Sequence, residues 1–212
     1  MTSVERVNAL VDAVDYIVHS NVNGALVECG VWRGGSVMAM AMALEESEDT
    51  RDIYLYDTFC GMTAPTDVDK SIHGVEAQAR FEEIRAPGDA SGWCHAPLED
   101  AKRNVLSTGY PRERLHFVEG KVEDTIPRVL PTEIALLRLD TDWYESTKHE
   151  LIHLFPLLSP GGVLIIDDYG YWEGVTKAVD EFVEQTDSHL LLHRVDYGCR
   201  IAVKASSLPH QP

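Results

Sequence analysis

The chain has 212 residues, 44% hydrophobic and 25% charged, with a formal net charge of −17 from 18 Lys+Arg against 35 Asp+Glu. That apolar content excludes a disordered chain and suits a single domain, or one domain with an insertion, that folds without disulfide or metal staples. Cys29, Cys60, Cys94 and Cys199 are widely spread with no CxxC pair, against a disulfide scaffold or structural zinc, and the absence of Lys/Arg clusters speaks against nucleic acid or anionic membranes as partners.

Residues 4–18 place Val4, Val7, Leu10, Val11, Val14, Ile17 and Val18 at helical spacing. Glu5, Asp12 and Asp15 interrupt this segment, so it does not read as a signal peptide, and no run approaches the roughly 20 apolar residues of a membrane span. A cytoplasmic protein with reduced thiols is expected. A short apolar strand follows at 25–29 (ALVEC) and ends at Gly30; an Ala- and Met-rich helix is predicted over 34–44, then a strand over 52–56 closed by Asp57.

Residues 58–97 are less regular. They hold several Gly and Pro with His73 and Trp93, and a helical stretch over 74–84. A segment this long between sheet elements suggests a lid or insertion. Beyond it come a helix at 98–107 and strands at 115–118 and 134–139, the second ending at Asp140. A helix at 146–158 stops before Ser159-Pro160-Gly161-Gly162, and the strand at 163–166 ends at Asp167-Asp168. A helix over 174–185, strands over 190–195 and 200–203, and a frayed tail over 206–212 complete the chain. Short apolar strands alternating with helices predict a doubly wound α/β fold with a mostly parallel sheet, covered on both faces.

Ligands of such sheets bind beyond the carboxyl ends of the strands. Each of the first five strands delivers a carboxylate there: Glu28, Asp57, Glu119, Asp140 with Asp142, and Asp167 with Asp168. The first turn, Glu28 to Ser36, opens a helix with Gly34-Gly35 but lacks the GxGxxG spacing of a dinucleotide site, which makes a dehydrogenase a poor fit. A carboxylate before Gly30 would repel a pyrophosphate yet attract an ammonium group, and Asp57 suits a ribose diol. Ribose, amine and no phosphate describe S-adenosylmethionine; glycines placed only for packing are the competing reading. Asp140, Asp167 and Asp168, from two strands expected to be neighbours, form a costly anionic trio that suits Mg²⁺ or Ca²⁺, with solvated strand ends or helix caps as the alternative.

Four motifs carry a resemblance: VECGVWRGGS (27–36), YDTFCGM (56–62), LRLDTDWYEST (137–147) and GGVLIIDDYG (161–170). Together they resemble the macrocin O-methyltransferase family, sugar O-methyltransferases of macrolide and aminocoumarin pathways. The likeness spans about residues 27–180, and a more distant one to catechol O-methyltransferase runs through the same positions. It implies a seven-stranded class I methyltransferase fold, S-adenosylmethionine and Mg²⁺ as cofactors, a sugar-containing small-molecule acceptor from antibiotic or polysaccharide tailoring, and a homo-oligomer, a dimer. Carried over, Glu28, Gly30 and Ser36 hold the methionine part, Asp57 the ribose, and Gly120, Val122 and Glu123 the adenine. Asp140, Asp167 and Asp168 hold the metal. The N-terminal extension is shorter than in the antibiotic-tailoring members, where it helps build the acceptor cleft and the dimer.

The expected reaction is an SN2-like methyl transfer to a hydroxyl, with Asp140 or Asp142 taking the proton. His73 is the lesser alternative as base. His149 and His153, one helical turn apart, read as a packed or solvated face rather than a metal pair. Met38, Met40 and Met42 read as packing, Trp143 and Tyr144 as pocket wall or core, and Trp93 and Phe59 as lid or core. A catechol-type enzyme on a phenolic diol is the alternative, but it would place a lysine where Trp143 stands. A non-catalytic S-adenosylmethionine-binding protein is the other; the carboxylate trio argues against it.

Overall fold

The computed structural model describes residues 2–74, 77–84, 91–186, 188 and 190–205. Its strands are β1 (Ala25–Cys29), β2 (Ile53–Asp57), β3 (Leu115–Glu119), β4 (Ile134–Leu139), β5 (Leu158–Ile166), β6 (His193–Arg194) and β7 (Arg200–Val203). The helices are α1 (Val4–His19), α2 (Gly35–Glu46), α3 (Ala77–Glu83), α4 (Leu98–Leu106), α5 (Val122–Thr125), α6 (Tyr144–Leu154) and α7 (Glu173–Thr186).

One seven-stranded sheet runs in the order β3-β2-β1-β4-β5-β7-β6. The pairs from β3 to β5 are parallel, and β7 joins β5 antiparallel. This is the doubly wound sheet expected from the alternating apolar runs. β1 and β4 are buried along their whole length, because helices cover both faces. Side chains such as Leu26, Leu55 and Leu136 pack with α1, α2 and α4 on one face. Val27, Leu137 and Leu164 pack with α6 and α7 on the other. Strand order reverses between β1 and its two neighbours, β2 and β4, so a crevice opens at their carboxyl ends.

Two boundaries differ from expectation for identifiable reasons. α6 starts at Tyr144 and gives way at Phe155–Leu157 to a 3-10 turn, because Pro156 has no N–H to continue the α-helix. β5 begins at Leu158, not at Val163: its register jumps from Ile134↔Leu158 to Leu136↔Val163, and the Ser-Pro-Gly-Gly stretch is absorbed as a bulge. The strand expected over 190–195 shortens to two residues. Residues 75–76 of the expected 74–84 helix and the tail over 206–212 lie outside the described residues.

Part of the 58–97 segment is docked on the sheet end. Ser71 bridges Trp172, Ile72 N–H donates to the Tyr171 carbonyl at 2.9 Å, and Glu173 N–H donates to the Lys70 carbonyl at 2.8 Å. No helix among the described residues is long and apolar enough to cross a membrane.

Candidate active site

β1 runs into Gly30, whose φ is 87°. A Cβ there would overlap the Asp140 carbonyl, so glycine lets the ends of β1 and β4 close together. Asp57, at the end of β2, ties the turn down. Its Oδ2 accepts from the N–H groups of Val31 and Trp32, and its Oδ1 from that of Phe59, each at 2.7 Å. The Thr58 hydroxyl, 3.5 Å from Oδ1, gives its proton to the Gly61 carbonyl at 2.6 Å, so of a carboxylate's roughly four acceptor positions about one is left for a ligand hydroxyl. Expected as a ribose acceptor, Asp57 is also the clamp of the first turn.

Glu28 is fully buried. Its Oε1 accepts from Arg138, while its Oε2 closes no hydrogen bond. Burial pushes the carboxyl up to about 7, against the pull of Arg138, and Ser36 beside it lowers it in turn. A buried carboxylate oxygen without a partner is costly in isolation and suits a cationic donor. The residues present therefore fit the amino end of S-adenosylmethionine.

Arg138 is a charge inside an otherwise apolar strand. It meets Asp140 and Asp167, both at 2.8 Å, as well as Glu28, so one buried guanidinium joins the ends of β1, β4 and β5. Asp167 takes a second guanidinium, that of Arg6 on α1, at 2.5 Å. Arg6 Nε in turn donates to Asp196 at 2.7 Å.

After β4 the chain turns sharply. Asp142 has φ 66°, and Trp143 N–H donates to the Thr141 carbonyl at 2.9 Å, which closes a γ-turn centred on Asp142. The turn brings carboxylate oxygens of Asp140, Asp142 and Asp168 within 4.8 Å of one another. This differs from the expected trio of Asp140, Asp167 and Asp168. The γ-turn folds Asp142 inward, while each oxygen of Asp167 accepts from one arginine, as one oxygen of Asp140 does from Arg138. Burial, with mutual repulsion, holds Asp140 and Asp168 well above the usual carboxylate range and pushes Asp142 up to about 6. Three carboxylates this close call for a shared proton or a cation. An all-oxygen donor set of this kind fits a hard divalent ion such as Mg²⁺.

Beside these groups opens a cleft of about 660 Å³; Glu28, Ser36 and Arg138 lie behind its wall and are not among the residues that line it. Gly30, Asp57, Gly120, Val122 and Glu123 line its β1–β3 half, and Asp140, Asp142, Asp167 and Asp168 its β4–β5 half. Trp93, Tyr171 and Tyr197 line it as well. Trp143 belongs to the core: it is 3% exposed, and its indole N–H donates to the Thr63 carbonyl at 2.9 Å. His73 is exposed with its ring 6.3 Å from that of Tyr171, and it is not among the residues lining the cleft. His149 bonds the Ile126 carbonyl at 2.9 Å and packs on His153, as expected of a packed face. Met40 is buried and Met42 is 57% exposed.

Sequence reasoning missed Arg6, Arg138, Asp69 and Glu150. Arg138 had a signal, since a charge within the apolar run IALLRL must be paired when the strand is buried. Asp69 is buried and accepts from the Thr66 N–H at 2.7 Å and hydroxyl at 2.8 Å, and from the Tyr144 N–H at 2.8 Å, which caps α6. Nothing in its local sequence announces a partner 75 residues on.

The family model described as Macrocin-O-methyltransferase (TylF) matches residues 1–202. The 8-demethyl-8-(2,3-dimethoxy-alpha-L-rhamnosyl)-tetracenomycin-C 4'-O-methyltransferase of Streptomyces olivaceus is 37% identical over 170 residues, 80% of this chain and 62% of that relative. The mycinamicin III 3''-O-methyltransferase of Micromonospora griseorubida is 33% identical over 171 residues, 80% of this chain and 64% of that relative. The chain thus spans a little under two thirds of the length of both. Among solved structures, that of the O-methyltransferase NovP superposes with a TM-score of 0.81 at 28% identity, covering 96% of this chain and 81% of that one. With the seven-stranded class I methyltransferase sheet and a match over nearly its whole length, the chain belongs to the macrocin O-methyltransferase family.

Proposed function

We propose that the chain transfers the methyl group of S-adenosylmethionine to a hydroxyl of a sugar or glycosylated small molecule, with Mg²⁺ at the acidic cluster. The supporting observation is the pairing of two different anionic stations, one buried just behind the cleft at Gly30 and one on its wall. One is the unpartnered Glu28 oxygen behind Gly30; the other is the Asp140, Asp142 and Asp168 group. A cationic methyl donor suits the first and an acceptor hydroxyl the second. The two curated relatives are named as O-methyltransferases, one of them of a rhamnosyl tetracenomycin, which favours a sugar hydroxyl.

Glu28 receives the cofactor's amino group, and Asp57 offers its remaining acceptor position to the ribose. Gly120, Val122 and Glu123 flank the base. Asp140 and Asp168 hold the cation, which when bound lowers the pKa of an adjacent hydroxyl. Asp142, held beside them by the γ-turn, accepts the hydroxyl proton on its carboxylate. The oxygen then forms a bond to the methyl carbon as the carbon–sulfur bond breaks, and the electron pair neutralises the sulfonium. The reaction needs alignment more than activation of the donor, which is already reactive.

The test is formation of S-adenosylhomocysteine and methylated product from S-adenosylmethionine and phenyl α-L-rhamnopyranoside. Turnover is expected to stop in EDTA and return with Mg²⁺. Calorimetry that detects no S-adenosylmethionine binding would overturn the reading, and turnover unaffected by EDTA would remove the metal from it.

A further inference from the structure

Behind the γ-turn lies a buried carboxyl that this chemistry does not use. Glu150, on α6, is fully buried, and the Thr141 hydroxyl donates toward its two oxygens at 3.0 and 3.2 Å. The Cys29 thiol, at the end of β1, stands beside it. Thr141 and Asp142 line the cleft, while Glu150 is not among the lining residues, so the contact supports the turn from behind. Burial holds the Glu150 carboxyl, which stands between the ends of β1 and β4, well above the usual carboxylate range. On the far flank, Asp69 fixes the Tyr144 N–H. A left-handed φ at a non-glycine residue is unfavourable and persists where neighbours over-determine it. Asp142 has such neighbours on both sides.

We propose that Glu150 is a positioning residue for methyl transfer: through the Thr141 hydroxyl it holds the γ-turn that presents Asp142 to the acceptor. The inference rests on the reading of Asp142 as proton acceptor. It makes a chemical distinction that general packing does not. A glutamine at 150 still offers an oxygen that accepts from the Thr141 hydroxyl, whereas an alanine leaves that hydroxyl without its partner.

The experiment compares Glu150→Gln, Glu150→Ala and Thr141→Val. Three quantities are read: hydrogen exchange of the Trp143 amide, kcat and KM for phenyl α-L-rhamnopyranoside, and S-adenosylmethionine affinity by calorimetry. Glu150→Gln is expected to match the wild type. Glu150→Ala and Thr141→Val are expected to speed exchange at Trp143 and lower kcat by about 10- to 100-fold, the scale of a small misplacement of a reacting group. Acceptor KM and cofactor affinity should move less than about twofold. In an Asp142→Asn background, Glu150→Ala should cost nothing further. The proposal is overturned if glutamine is as harmful as alanine, if the loss lies in cofactor affinity, or if the Asp142 and Glu150 effects multiply. Should Glu150→Ala fail to fold, Thr141→Val decides the matter. A wild-type protein that methylates no rhamnoside counts against the proposed function instead, and unchanged exchange at Trp143 in Thr141→Val then overturns the positioning role by itself.

Discussion

Arg6 and Asp167 lie 161 residues apart in sequence and 2.5 Å apart in space. Their ion pair fastens the first helix to the end of β5. Through Asp196 it also reaches the β6–β7 turn, where the same carboxylate accepts from the N–H groups of Gly198 at 2.9 Å and Cys199 at 2.7 Å. The first turn of α1 is thereby part of the cleft wall.

Replacing Arg6 with methionine keeps much of the apolar stem and removes the charge. Asp167 retains Arg138, but Asp196 loses its guanidinium and the cleft gains net negative charge. Breaking a buried pair in this way is expected to cost about 3 kcal/mol, read as a lower urea midpoint. Added Mn²⁺ should restore part of the loss in Arg6→Met, because the uncompensated carboxylates then have a cation to bind. A midpoint equal to that of the wild type would show that the pair contributes nothing to the fold.

Glu28 sets a pH dependence whose direction follows from its environment. Its carboxyl titrates at about 7, above its ordinary value of 4.5, because burial outweighs Arg138. Below that pH the group is neutral and attracts no ammonium; above it the group is an anion. Affinity for S-adenosylmethionine should therefore rise with pH, by at most about tenfold per unit below the midpoint, and level off above it. The cofactor-free fold should lose stability over the same rise, from about 4.5 to 7, because the folded state binds the proton more tightly than the unfolded chain. Glu28→Gln should flatten both profiles; a slope that survives this substitution would assign the titration to another group.

The fold was legible because β1 to β5 are apolar runs of a kind that only a doubly covered parallel sheet explains. The carboxylates at their ends were legible for the same reason, since topology places every strand end on one rim. What the sequence withheld depends on side-chain direction. Strand alternation alone would put Asp142 on the same side as Asp140, but the γ-turn, with Trp143 N–H folded back on Thr141, is not written in residue types. The diversion of Asp167 onto Arg6 requires α1 to be in place, which no local pattern reports. Glu150 sits in the predicted 146–158 helix with no local signal of its role; the Thr141 contact is what places it beneath the turn.

The two neighbouring aspartates at the end of β5 should separate cleanly. Asp168 shares the cluster with Asp140 and Asp142, whereas Asp167 has both oxygens on arginines. Asp168→Asn is expected to weaken Mn²⁺ binding by at least about tenfold, as loss of one charged oxygen ligand does, and to leave S-adenosylmethionine binding intact. Asp167→Asn should reduce thermal stability more than Mn²⁺ affinity. Calorimetric titration of each variant with Mn²⁺ distinguishes the two, and equal losses of metal affinity would return Asp167 to the set of ligands.

Asp69 offers a way to detach the 58–97 segment without touching the chemistry. Its buried carboxylate holds Thr66 on its own side and caps α6 through the Tyr144 N–H, and there is no room beside it, because a Cβ on Gly174 would overlap its Oδ1. Losing a helix cap costs about 1 kcal/mol, and the two bonds to Thr66 are lost with it, so Asp69→Ala should lower stability by about 2 kcal/mol. The same change frees the neighbouring stretch, where Ser71 meets Trp172 and Ile72 meets Tyr171 at the cleft wall. Acceptor KM is therefore expected to rise severalfold while S-adenosylmethionine affinity, set by β1 and β2 across the cleft, stays put. Gln or Ser at Gly174 should give the same pattern by steric pressure from the opposite side. If both substitutions weaken cofactor binding as much as acceptor binding, the segment supports the whole cleft rather than its acceptor half.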